Sequence, residues 1–196
     1  MAPLWGASDA DESKPKNLTT AEKKEVFANS SGWVREAGSA LTGNDNTNAD
    51  PELLVAISGL AVSLGAADVT EVEWITEEAD KSAGFTLSLR VRYNEAVTVT
   101  GSPTVAVTNG NQGTGSGRGP HTLVYASGSG TNELVFSLAI AAANAATNAD
   151  DVLSVAAQNI AKPGGATMKD TGTSTDSAVA ISGAQGTACG TITVVA

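Results

Sequence analysis

Apolar and polar residues alternate along most of the chain after residue 68. Phe85, Leu87, Leu89, Val91 and Tyr93 share one parity, with Thr86, Ser88, Arg90 and Arg92 on the other. A period of two marks a strand with one buried and one polar face. Residues 69–75 alternate in the same way, setting Val69, Glu71 and Glu73 against Thr70, Val72 and Trp74. Shorter strand candidates lie at 97–99, 104–108, 121–125, 133–140, 152–156, 178–181 and 191–195. Turn clusters separate them, among them Gly101-Ser-Pro103, Ser127-Gly-Ser-Gly130 and Lys162-Pro-Gly-Gly165. Many short strands with regular turns predict an antiparallel β-sandwich over residues 67–196.

Residues 1–66 read differently. Residues 1–20 are mostly polar and contain Pro15, which predicts an extended arm. Thr19 and Glu22 have the spacing of a capping box, so a one- or two-turn helix could run from Ala21 to Phe27. The competing reading is a hairpin, residues 25–28 returning as 33–36 through Ser30-Ser-Gly32. It is preferred because Val26, Phe27, Trp33 and Val34 are strand formers. A polar loop ends at Pro51, and 52–57 is an apolar run of strand length. The run 60–64 is ambiguous between strand and helix. The fold class expected is mainly β: an N-terminal arm and small β-rich docking module (1–66), then the sandwich (67–196).

Composition narrows the function classes. Of 196 residues, 41% are hydrophobic but only 4% aromatic, so Ala and Val carry a thin core. Eleven basic against 21 acidic residues leave a net charge of −10, the wrong sign for phosphate neutralisation on nucleic acid or for an anionic membrane surface. No apolar run reaches the length of a transmembrane helix. A single cysteine (Cys189) rules out an internal disulfide and a multi-cysteine zinc site, and a single histidine (His121) rules out two-His metal motifs. The N-terminus shows no basic start and no apolar segment, so no secretory signal is expected.

Two stretches carry a resemblance. Residues 85–93, then Asn94-Glu-Ala-Val-Thr-Val-Thr-Gly-Ser-Pro-Thr-Val105, then Leu123-Val-Tyr-Ala-Ser-Gly-Ser-Gly-Thr-Asn-Glu-Leu-Val-Phe136 resemble the Ig-like repeats of bacterial and phage adhesins. The likeness covers about 69–185 and implies an Ig-like sandwich without an activity of its own. Pro3-Leu-Trp-Gly6, Ser13-Lys-Pro-Lys-Asn-Leu18, Glu22-Lys-Lys-Glu-Val-Phe27 and Gly32-Trp-Val-Arg-Glu-Ala-Gly38 resemble virion structural proteins of tailed phages, notably marine and cyanobacterial myoviruses. A virion protein is made in host cytoplasm and released by lysis, so it needs neither a signal peptide nor disulfides.

Candidate sites were weighed on this background. The Gly-rich segment 109–119 lacks the Gly-Lys-Ser/Thr ending of a phosphate loop and reads as a hairpin loop with Arg118 as its charged contact. Residues 44–50, and Asp150 and Asp151 with Asp176, are oxygen-rich but fail the calcium-loop pattern, so no metal is expected. His121 with Ser127 or Ser129 does not form a nucleophile elbow. Glu71 and Glu73 could serve a two-carboxylate glycosidase, but read more simply as a solvated face. Pro3, Leu4 and Trp5 read either as a disordered terminus or as an apolar anchor inserting into a neighbouring subunit, with Lys14 and Lys16 as rim contacts. Trp33 is a further docking candidate, although core packing in the hairpin is the preferred reading.

The expectation is a non-enzymatic virion protein without cofactor. It would decorate or cement the capsid by docking on the major capsid protein or other virion proteins. Self-association and a host-surface ligand are left open. The alternative is a tail- or fibre-associated protein whose Ig-like domain binds a host glycan or receptor.

Overall fold

The computed structural model describes residues 14–15, 17–29, 31–38, 46–47, 49–58, 60, 66–110, 119–142 and 146–196. The N-terminal part contains α1 (Thr20–Lys24) and strands β1 (Val26–Asn29), β2 (Gly32–Arg35) and β3 (Glu52–Ala56). Helix and hairpin prove not to be alternatives. Thr19 caps a five-residue helix, its hydroxyl accepting from the Glu22 amide while the Glu22 carboxylate accepts from the Thr19 amide at 2.8 Å. The chain then enters β1, which pairs antiparallel with β2, and β2 pairs with β3 across a bulge at Trp33/Val34. Gly32, at φ +135°, lies so close to β3 that a Cβ would sit 2.0 Å from the Val55 carbonyl oxygen, so the tight hairpin depends on glycine there.

The larger body begins with β4 (Val69–Trp74), β5 (Ala79–Asp80) and the long β6 (Phe85–Thr100). It continues through β7 (Thr104–Asn109), β8 (His121–Ser127) and β9 (Thr131–Ile140). The remaining elements are β10 (Val152–Ser154), β11 (Gln158–Asn159), β12 (Thr167–Asp170), β13 (Ala180–Ile181), α2 (Gly183–Cys189) and β14 (Thr191–Val195). Nine of these strands form one hydrogen-bonded sheet in the order β12-β6-β9-β8-β7-β10-β14-β5, with β4 branching from β6. The branch follows from the length of β6, whose first half pairs with β4 and whose residues 97–100 pair with β12. A register shift between Arg92 and Val97 bends the strand there. The sheet curls, and its ends are tied together: the Trp74 indole N–H donates to the Gly190 carbonyl at 3.3 Å, and Gln185 of α2 donates to the Val69 carbonyl at 2.7 Å.

The alternation seen in the sequence sets the burial. Leu87, Leu89, Val91 and Tyr93 are completely buried with Leu123, Leu134, Phe136 and Met168 in the main core, which runs from Ala67 to Val194. A second, separate cluster holds Val26, Ala28, Trp33 and Leu60, with Leu18, Leu54, Val55 and Ile57 against it. Strands β5, β11 and β12 and helix α2 were not anticipated. Helix α2 has few apolar residues, so the hydrophobic pattern gives no helical signal. Its one sequence cue is Ser182 three residues before Gln185, and the two side chains form a capping box.

Candidate functional site

The polar face of β6 closes over at Arg92, while Ser88 and Arg90 stay half-buried and Thr86 is exposed. Register places Glu71 opposite Arg92 and Glu73 opposite Arg90 on the β4 side, and Glu133 opposite Arg92 on the β9 side. Cross-strand neighbours lie within reach of long side chains, so opposite charges on one face meet without further help. Arg92 donates from Nη1 to Glu71 at 2.7 Å and from Nε to Glu133 at 3.0 Å, and its Nη2 lies 3.6 Å from Glu73. Arg90 lies 3.1 Å from Glu73. A fourth carboxylate comes from the N-terminal module: Glu36, just past β2, accepts from Arg92 Nη2. Arg92 is thereby 3% exposed, a buried cation at the junction of the two parts.

Among the described residues, Glu36, Glu71, Glu73 and Glu133 gather around Arg90 and Arg92. Burial alone would lower the Arg92 pKa, but the four carboxylates outweigh it and hold the guanidinium charged. Burial pushes Glu36 up to about 7, against the attraction of Arg92, because Arg92 is divided among competitors and Glu133 and Glu73 repel Glu36. Such a network acts as a joint. Removing one partner strands buried charge.

Two cavities flank the joint. One, of about 370 Å³, lies between Phe27 and Trp33 of the N-terminal sheet and Thr70, Arg92 and Tyr93 of the larger body, with Lys14 at its wall. The other, of about 760 Å³, is lined by Phe27, Glu36 and Thr47 on one side and Arg90, Thr131 and Glu133 on the other.

Of the expected docking residues, Pro3, Leu4, Trp5 and Lys16 lie outside the described residues, as does Arg118. Lys14 donates from Nζ to the Lys23 carbonyl at 2.8 Å, tying the start of the module to α1. Trp33 is 1% exposed and belongs to the small core, so core packing is its role and it presents no surface for a partner. Glu71 and Glu73 keep 30% and 37% of their side chains exposed, a partly solvated face, and arginines engage both because β4 registers against Arg90 and Arg92.

The remaining candidates separate spatially or chemically. His121 opens β8, is buried, and shares a 3.1 Å hydrogen bond with Thr147; burial lowers its pKa despite Asp151. Ser129 donates to the Val99 carbonyl and accepts from the Val99 amide. Asp151 accepts from Asn109 at 2.6 Å, whereas Asp176 pairs with Lys169. Of the calcium-like stretch 44–50, residues 44, 45 and 48 lie outside the described residues. Cys189, at the end of α2, is half-buried and burial pushes its thiol up to about 11. Among the described residues no group of three or more His, Cys, Asp or Glu side chains is placed to hold a metal ion, and no helix is long and apolar enough to cross a membrane.

Arg92 and Glu36 escaped the sequence reading. Two arginines on the polar side of the most apolar strand were a signal, but which carboxylates would meet them depends on register. No family model matches this chain, and no curated protein or solved structure matches it significantly.

Proposed function

We propose that this chain is a non-enzymatic structural protein of a tailed-phage virion. In this reading the N-terminal module docks on the shell and the larger body, taken as an Ig-like module, projects from it as a capsid decoration or cement domain. The observation that supports it best is the joint at Arg92. Glu36 fastens a small strand module onto the outer face of a much larger β body, so that one end can be held by a partner while the other is displayed. The resemblance of the N-terminal motifs to phage virion proteins supplies the setting, and the partner in this reading is the major capsid protein or a neighbouring virion protein. The net charge of −10 suits a soluble particle surface. Multivalent attachment over a symmetric shell would make a weak individual contact persistent.

Quantitative mass spectrometry of purified virions tests the reading. Copies on the order of hundreds, commensurate with a capsid lattice, are expected. A handful matching tail symmetry would replace decoration with the tail-associated alternative, and absence from virions would overturn both.

A further inference from the structure

The smaller of the two cavities at the joint is built from both parts of the chain. The N-terminal module contributes Lys23, Phe27 and Trp33 to its wall, and the larger body contributes Val72, Tyr93 and Gln185. Its volume of about 370 Å³ falls in the lower range of pockets that hold small molecules. That space equals roughly a dozen water molecules, so a ligand of about ten non-hydrogen atoms fits it.

Two groups in this wall lack partners. Trp33 is 1% exposed, and no acceptor among the described residues reaches its indole N–H. A buried donor left unpaired is disfavoured, because it has given up its hydrogen bond to water. Lys23 of α1 is half-buried, and no carboxylate among the described residues pairs with it. Lys14 lies in the same wall and donates to the Lys23 carbonyl, which brings a second cationic side chain to α1. The third cation of the wall, Arg92, is answered by Glu71. An apolar cavity with an unpaired ammonium and an unpaired N–H donor is complementary to an anion, although the chain as a whole carries a net charge of −10.

We propose that this cavity binds a small organic carboxylate, its charged end held by Lys23 and the Trp33 indole N–H and its apolar body packed against Phe27 and Val72. Charge-assisted hydrogen bonds from both donors would settle the two unpartnered groups at once. Inorganic phosphate has no apolar body to cover Phe27 and Val72, and a neutral amide leaves the Lys23 charge unanswered. Because both parts line the cavity, an occupant ties the module to the larger body. This inference goes beyond the virion reading and does not rest on it.

Titration of the full-length chain with phenylacetate, followed by NMR of the indole N–H groups, tests it. A dissociation constant of about 1 mM or tighter is expected. Phenylacetamide should bind at least about fivefold more weakly, and inorganic phosphate should not compete. The Trp33 indole resonance, assigned by its loss in Trp33→Phe, should move downfield on saturation. Should Trp33→Phe fail to fold, Trp5→Phe and Trp74→Phe assign that resonance by elimination. Lys23→Gln is expected to weaken phenylacetate binding about fivefold or more, with the melting temperature of the ligand-free chain unchanged. A chain that shows no saturable binding of phenylacetate up to about 10 mM overturns the proposal. So do equal binding of phenylacetate and phenylacetamide, binding indifferent to Lys23→Gln, or a Trp33 resonance that does not move.

Discussion

The two parts of the molecule are stabilised differently. The larger body buries aromatic and aliphatic side chains such as Tyr93, Phe136, Leu87 and Leu134 between the walls of a curled sheet. The N-terminal module buries Val26, Ala28, Trp33 and Leu60 beneath three short strands. A three-stranded sheet over so small a core is marginal by itself. It also touches its neighbour, where Glu36 accepts from Arg92. The larger body thus rests on an extensive apolar core, whereas the small module combines a thin core with a charged contact to its neighbour.

The largest perturbation of this contrast is expected from Phe136→Ala. Phe136 is fully buried and meets Tyr125 edge to face at 6.0 Å. Its truncation is expected to cost about 3–5 kcal/mol and to melt both parts together in a thermal scan. Next comes Arg92→Ala, expected to cost about 3 kcal/mol because four carboxylates lose their common cation. Hydrogen exchange should then accelerate first in β1–β3 while β8 and β9 stay protected. Uniform acceleration would mean that the module does not depend on the joint.

A smaller effect is expected from pH. The folded Glu36 pKa of about 7 lies above its ordinary 4.5. The stability this carboxyl contributes is therefore full below about 4.5 and lost as pH rises through 7. The groups facing it are Arg92 and Arg90, which favour its charge, and Glu133 and Glu73, which oppose it. Protection of β1–β3 should be higher at pH 5.5 than at pH 8.5, and Glu36→Gln should flatten that difference. The smallest effect concerns Cys189. With its thiol raised to about 11, alkylation at pH 8 should be slower than for an unhindered cysteine, since the thiolate is the reactive form.

Much of the larger body was legible from alternation, because a strand with one buried face writes its burial directly into the sequence. Residues 85–93 and 133–140 are the clearest cases, and their apolar positions are those that form the core. The continuity of β6 through Asn94 and Glu95 was not legible. Both polar side chains are buried at its bend, 5% and 0% exposed, which no periodicity announces. The candidate site was less legible still. Arg92 meets Glu36 across 56 residues and Glu133 across 41, so the cluster exists only once three elements are in register. Trp33 was more legible: the strand formers around it favoured core packing over docking, and it lies in the small core.

In the proposed arrangement the N-terminal module is the docking end and the larger body the displayed end. Hydrogen exchange on the chain free and bound to purified capsids measures this most directly. The account predicts new protection at residues 26–35 and 52–56 on binding, with the hairpin turn at 127–131 unchanged. Protection gained at 127–131 with none in the N-terminal strands would contradict it.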